Sequence, residues 1–278
     1  MSEPKYVSGS DAMAAWRDDL LSGTPPVLYR VGVPALDSIQ IGPGLVTLIG
    51  GAPGSGKTAL ALQFVFDALR LSPSLRAVVC NVEMSAAELL NRQLARVSGI
   101  DLTTVRHRQL SDEHAERLET GLATLEPLVE RIAFVRSPFD LANCAAVADA
   151  FRADLIVLDY IQRIPPPGEF RDARGSVNAT MDYLRQFADA GVAVVAVSAV
   201  GRGKDSIGRS TYDAENLSLA SFKESGELEY GADSAYIVCP RADRSINLKC
   251  CKNRHGDPAD IRLAFDRSIQ RFTHEEPF

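Results

Sequence analysis

The chain has 278 residues, 46% of them apolar and 24% charged, with a formal net charge of −6 at pH 7. That suits one large α/β domain or two small ones with a full hydrophobic core, and excludes a disordered or low-complexity chain. The acidic balance argues against coating nucleic acid over the whole surface and leaves room for a local basic channel.

Residues 1–26 are polar, with one short amphipathic piece from Asp11 to Leu21 that carries Trp16, Leu20 and Leu21. Ser10 or Asp11 is its expected cap. Gly23-Thr24-Pro25-Pro26 then breaks the chain, so residues 1–26 are expected to form an arm or linker helix and residues 27–278 the main domain. The arm either lies on its own domain or docks on a neighbouring subunit; the Pro-Pro break favours the second. The N-terminus has no apolar signal core, and no apolar run is long enough to span a bilayer. A soluble, cytoplasmic protein without membrane contact is expected.

The apolar run Leu45 to Ile49 predicts a strand, and Thr58 to Leu69 a helix. Ala77 to Asn81 is a second strand, followed by a helix to about Ser98 that the Ser85–Glu88 pattern caps. A polar helix is expected from Ser111 to Leu125, a third strand at Ile132 to Val135, and a helix from Asp140 or Asn143 to Phe151. Leu155 to Asp159 reads as a strand buried on both faces. After the Pro-rich break at 165–167 comes a helix to about Ala190, then a fifth strand from Val192 to Val197. Residues 201–221 read as a mobile, Gly-rich loop. Ala235 to Val238, Ile246 to Cys251 and Ile261 to Phe265 are further strands, the last two joined by a turn at His255-Gly256-Asp257-Pro258. Strands alternating with helices predict a mostly parallel central sheet with helices on both faces and a C-terminal antiparallel hairpin.

Between the first strand and first core helix lies Gly51-Ala52-Pro53-Gly54-Ser55-Gly56-Lys57-Thr58, a complete phosphate-loop pattern in its strand–loop–helix context. Glycines let backbone N–H groups turn inward on phosphate oxygens, and the helix adds its positive end. Lys57 is placed to reach the β- and γ-phosphates of ATP, and Thr58 to hold Mg²⁺. The plainer reading is an ordinary glycine turn. Asp159 ends a buried strand, where ligands bind in open α/β sheets, and is expected as a second Mg²⁺ anchor. Glu83 lies just past another strand end; a carboxylate there can deprotonate water, or serve only as a surface ion-pair partner. Ser198 ends the fifth strand, where many such ATPases carry a polar γ-phosphate sensor. Lys252 and Arg254 lie two apart on one strand face, either a solvated rim or cations that reach a neighbour's phosphate. The cysteines, Cys80, Cys144, Cys239, Cys250 and Cys251, have no metal-ligand spacing and read as reduced thiols.

With these motifs in order, residues 28–272 resemble the C-terminal, RecA-like ATPase domain of DnaB-type replicative DNA helicases. The most specific segments are Ile156-Val157-Leu158-Asp159-Tyr160-Ile161-Gln162, Phe222-Lys223-Glu224-Ser225-Gly226-Glu227-Leu228-Glu229 with Ala232-Asp233, and Lys252-Asn253-Arg254 with Gly256; Val82-Glu83-Met84-Ser85 accompanies them. The resemblance implies a RecA-like P-loop fold, a hexameric ring on single-stranded DNA, and ATP hydrolysed between subunits. It implies Glu83 as base, Lys57 and Thr58 on phosphate and Mg²⁺, Asp159 on Mg²⁺, and Lys252 with the Arg254 finger acting on the neighbour's γ-phosphate. The family's helical, primase-binding N-terminal domain has no counterpart beyond the short arm, and no loading partner is indicated. Where the family carries Gln after the serine of the fifth strand, Ala199 and Val200 follow Ser198. Val31 to Asp37 also resembles RecA-like relatives of the RadA and KaiC kind, so the alternatives are such an ATPase acting without unwinding, or a nucleotide-dependent assembly protein with negligible turnover. DNA contact is expected from Arg202, Lys204 and Arg209 in the Gly-rich loop and from Arg171 and Arg174 after the Pro-rich break. The plainer reading of that loop is a solvated, flexible segment.

Overall fold

Continuous apolar runs form strands whose every residue is buried: β1 (Val46–Gly51), β2 (Ala77–Asn81) and β4 (Leu155–Asp159). β-Branched and aliphatic side chains on both strand faces need cover from helices on both sides, and the fold supplies it. The computed structural model describes residues 6–168, 173–201, 203–204, 210–211, 217–222, 231–241, 243 and 245–274.

Helix α1 (Gly9–Ser22) stands first and has no buried residue. Its cap is Ser8 rather than Ser10 or Asp11: the Ser8 side chain accepts from the Asp11 N–H. Helix α2 (Lys57–Leu71) follows the phosphate loop and is almost wholly buried. Helix α3 (Ala86–Ser98) opens with the expected Ser85–Glu88 capping box. A short helix, α4 (Leu102–Arg106), has no counterpart among the elements expected from the sequence. Helix α5 (Ala115–Val129) begins later than expected, because residues 112–114 form a 3₁₀ turn, and ends past Leu125. Then come β3 (Ile132–Phe134), α6 (Leu141–Phe151, capped by Asp140), β4, α7 (Ala173–Asp189) and β5 (Ala193–Ala199). The segment read as a loop holds a small antiparallel pair, β6 (Gly203–Lys204) with β7 (Ser210–Thr211). The chain continues with β8 (Ser234–Pro240), β9 (Ser245–Asn253), β10 (Ile261–Asp266) and β11 (Arg271–His274).

The strand order of the main sheet is β11-β10-β9-β8-β1-β5-β4-β2-β3. From β8 to β3 the pairings are parallel; β8–β9, β9–β10 and β10–β11 are antiparallel. This is the expected mixed sheet, extended by β11, whose four residues carry too little alternation to announce a strand. One apolar core lies under α2, with Phe64, Phe66 and Leu60 fully buried. The other lies on the opposite face, around Leu141, Leu184 and Phe222. The parallel strands therefore present their C-terminal ends together, and both the phosphate loop and Asp159 sit there. Among the described residues no helix is long and apolar enough to cross a membrane. The five cysteines carry free thiols, with Cys80, Cys144 and Cys239 buried and Cys250 and Cys251 partly so.

Candidate nucleotide site

The loop after β1 needs glycine at two places for different reasons. Gly56 has φ +103°, and a Cβ there would lie 3.0 Å from the rings of Phe265 and Phe272. Gly51 has no room for a side chain, since a Cβ would sit 2.5 Å from the Ser55 hydroxyl. Close backbone curvature follows, with Lys57 opening α2 directly behind it. The Lys57 ammonium is folded back on the loop, donating to the carbonyls of Gly51 (2.8 Å) and Ala52 (2.9 Å). Burial lowers its pKa, and the charges of Asp159 and Glu83 oppose that shift.

Beside it, the Thr58 hydroxyl donates to Asp159 Oδ2 at 2.6 Å. Asn81, directly across the β2–β4 register from Asp159, donates its amide N–H to the same oxygen at 2.8 Å. Asp159 is 6% exposed. Burial pushes its carboxyl above the ordinary range; the Thr58 hydrogen bond and the Lys57 and Arg92 charges pull it down, and Glu83 pushes it up. The other end of the Asn81 side chain accepts from the backbone N–H groups of Glu83 (3.0 Å) and Met84 (2.7 Å). Glu83 thus stands on a turn tied to the strand that faces Asp159.

Lys57, Thr58, Glu83, Met84 and Asp159 line one cavity of about 490 Å³. Its donors for a metal are a hydroxyl and a buried carboxylate, and among the described residues no cluster of three or more His, Cys, Asp or Glu is present. Such an oxygen-only, two-ligand set fits Mg²⁺, which keeps water and takes phosphate oxygens, and does not fit a zinc site.

Three polar lining residues were not expected from the sequence. Arg92, on α3, enters the cavity and bonds Gln270. The helix that follows Glu83 thus brings an arginine to the cavity, although none lies within the motif segments themselves. Its signal was its place on the helix that the Val82–Ser85 motif opens. Arg267 and Gln270 lie in the β10–β11 turn, and Arg267 donates to the Gly54 carbonyl at 2.8 Å. No local signal marked them, because the turn reaches the phosphate loop only through the sheet's antiparallel end.

Ser198 does not face the cavity. It is fully buried, and its hydroxyl accepts from Gln162 Nε2 at 2.7 Å, while Ala199 lines the cavity. Gln162 also accepts from the Ala199 N–H at 3.1 Å and so pins the end of β5.

Lys252 and Arg254 lie elsewhere. Lys252 pairs in register with Ala235, and Arg254 follows the end of β9. The Arg254 guanidinium bonds Asp233 at 2.9 Å, and Arg185 bonds the same carboxylate at 2.7 Å. Asp233 in turn accepts from the Val46 N–H, at the start of β1. Val46 and Gly51 are the two ends of β1, so Arg254 is separated from its own phosphate loop by a strand length of about 16 Å. Of the residues expected on DNA, Arg171, Arg202 and Arg209 lie outside the described residues, and the side chains of Arg174 and Lys204 do too. Residues 223–230 of the Phe222–Glu229 segment are likewise outside them.

Residues 30–274 match the family model described as DnaB-like helicase C terminal domain. A relative from Chlamydia trachomatis serovar L2, named a probable plasmid replicative DNA helicase, is 27% identical over 242 residues, covering 83% of this chain and 51% of the relative. The replicative DNA helicase DnaB of Geobacillus stearothermophilus is 23% identical over 275 residues, covering 94% of this chain and 58% of its own. The chain thus spans about half the length of the curated relatives it matches. Among solved structures, a DnaB-like replicative helicase described with its primase interactions superposes with TM-score 0.81 at 18% identity, covering 97% of this chain and 69% of that one. A KaiC-like protein of Pyrococcus horikoshii superposes with TM-score 0.60 at 16% identity, covering 91% of this chain and 100% of that one. These likenesses establish a RecA-like fold, and the family match over residues 30–274 places the chain in the DnaB-like helicase C-terminal domain family.

Proposed function

We propose that this chain hydrolyses ATP with Mg²⁺ at the interfaces of a ring, hexameric as the family resemblance implies, and uses the cycle to move along single-stranded DNA and separate strands. One observation carries the reading. Lys57, Thr58, Glu83 and Asp159 share one cavity, while Arg254 sits across the sheet from it. A cation there reaches a phosphate only in another copy of the chain. In this reading Thr58 and Asp159 would hold Mg²⁺, which when bound would supply positive charge against that of the phosphates. Residues 51–57 cradle the triphosphate, and Lys57 leaves two loop carbonyls to meet it. Glu83 takes a proton from the attacking water. Arg92 is a further cation lining the cavity. Lys252 and Arg254 complete the neighbour's site.

Residues 1–26 serve as an arm distinct from the ATPase domain of residues 27–278. The helix buries nothing on its own domain and exposes Met13, Trp16, Leu20 and Leu21, which suits docking on an adjacent copy. Arg202, Lys204, Arg209, Arg171 and Arg174 contact DNA phosphates. Neutralising the first three together should lower the slope of log affinity against log salt by about one unit per lost contact.

Ala199 in the cavity favours a second reading, turnover without unwinding, because the polar sensor that the resemblance expects there is missing. Turnover measured against protein concentration, with and without single-stranded DNA, and strand displacement from a forked duplex test both. Concentration-dependent, DNA-stimulated turnover with displacement supports the helicase reading. Stimulated turnover without displacement supports the second. Turnover independent of concentration removes the shared site.

A further inference from the structure

We infer that Asn81 is a positioning residue that fixes the metal-anchoring carboxylate and the catalytic base at a set separation; the inference rests on the roles proposed for Asp159 and Glu83. Four observations converge on it. Asn81 and Asp159 are register partners on adjacent parallel strands, so their side chains leave the sheet side by side. The Asn81 amide donates to Asp159 Oδ2 at 2.8 Å, and its carbonyl accepts from the N–H groups of Glu83 and Met84. Asn81 is only 6% exposed, so water does not compete freely for these bonds. The Val82 N–H also donates to the Asp159 carbonyl at 3.0 Å, which locks the strand ends together beneath the bridge.

The chemistry asks for this residue type. A planar amide has a donor on one end and an acceptor with two lone pairs on the other, held at fixed distance. An aspartate would keep the acceptor for Glu83 and Met84 and lose the donor to Asp159. A serine could serve one side and not both. The carbonyl end forms a side-chain turn with the two residues that follow, which is a common way for asparagine to shape a chain reversal. That turn is the one on which Glu83 stands. Asn81 touches neither water nor phosphate in the proposed reaction and acts only through the two acids.

The test is a set of variants assayed side by side in the full chain: Asn81→Ala, Asn81→Asp and Glu83→Gln. The readouts are kcat and KM for ATP, Mg²⁺-dependent binding of a fluorescent ADP analogue, and Tm. Asn81→Ala should lower kcat by roughly 10- to 100-fold, the scale of a catalytic group displaced by a fraction of an ångström to one ångström. KM and analogue affinity at saturating Mg²⁺ should stay within about threefold, since the loss falls on the transition state and not on ground-state binding. The Mg²⁺ concentration that half-saturates analogue binding should rise, because Asp159 is then held by Thr58 without the amide brace. Asn81→Asp should lose kcat as well, although it retains the turn acceptor. If Asn81→Ala does not accumulate folded, Asn81→Ser replaces it under the same criteria.

A folded Asn81→Ala protein with kcat within about twofold of wild type, beside an inactive Glu83→Gln, overturns the bracing role and leaves the base standing. A loss of kcat matched by equal losses in analogue affinity and Tm also overturns it, as the mark of a general structural defect. An active Glu83→Gln protein overturns the base assignment, and the bracing role falls with it.

Discussion

Two aspartates, Asp159 and Asp233, are each buried to about the same degree, and they sit at opposite ends of the same sheet. Their partners differ in kind. Asp159 is held by neutral donors, the Thr58 hydroxyl and the Asn81 amide. Asp233 is held by two guanidiniums, Arg185 and Arg254, and by the Val46 N–H. A buried carboxylate costs several kcal/mol of hydration unless cations and hydrogen bonds return it. Asp233 has that compensation within the chain, and it ties β1, α7 and the end of β9 together. Asp159 has no such ion pair among the described residues, the Lys57 and Arg92 charges acting on it without direct contact, which suits the metal anchor proposed for it. The same residue type is a structural pin at one end and the proposed metal anchor at the other, and the partners differ accordingly.

The comparison is sharpened most by Arg254→Ala. In the shared-site reading this variant loses about 10³- to 10⁵-fold in turnover per subunit. Mixing it with Glu83→Gln, each inactive alone, should restore measurable turnover at mixed interfaces. Mixtures that assemble and stay inactive remove Arg254 from the neighbour's site. Stability should change little, because Asp233 keeps Arg185.

Next in size is Asp233→Ala, read by chemical denaturation. Removing the carboxylate takes one ion-pair partner from each of two arginines and the acceptor from the Val46 N–H. The expected loss is about 3 kcal/mol, the low end for breaking a buried pair, since both guanidiniums retain contact with solvent. A change below about 1 kcal/mol would place Asp233 with ordinary surface ion pairs.

Asp159→Asn should act in the opposite direction on stability. It removes a buried charge whose direct hydrogen-bond donors are neutral and whose burial outweighs the Lys57 and Arg92 charges, so the nucleotide-free protein should gain stability while Mg²⁺-dependent turnover is lost. The sign with pH follows from the raised carboxyl. The folded state disfavours the charged form, so the wild-type penalty is full above the raised folded pKa. It shrinks as pH falls toward the ordinary carboxylate range and is absent below it. The variant's advantage should therefore fade on acidification. A variant less stable than wild type at neutral pH would contradict the account of Asp159 as a carboxylate that burial destabilises.

The smallest effect is expected at Ser85. Ser85→Ala removes the helix cap seen in the Ser85–Glu88 box and should cost about 1 kcal/mol in unfolding free energy. Turnover should fall by less than in Asn81→Ala, because the Glu83 turn is held by Asn81 and not by the cap.

The local parts of the site are legible in the amino-acid sequence. A phosphate loop is continuous along the chain, so glycines, lysine and threonine at set spacing announce it. Leu155 to Asp159 announces a buried strand because both faces are apolar, and an acid at its end stands out against that run. Capping at Ser85 and Asp140 is likewise a matter of a few neighbouring residues. The misses share a cause. Helix α4, strand β11 and the start of α5 depend on weak periodicity, which tertiary contacts settle.

What the sequence by itself determined was the alternation of the main strands and helices, the phosphate loop, and the identities of the acids at the strand ends, since each is encoded by residues close together along the chain. The tertiary structure alone decided which distant groups meet. It set Asn81 in register with Asp159, aimed Arg92, Arg267 and Gln270 into the cavity, turned Ser198 onto Gln162, and placed Arg254 on Asp233 at the far end of β1. Each of those meetings joins segments that strand order and pairing register bring together. Register depends on the packing of the whole sheet, and no local run of residues records it.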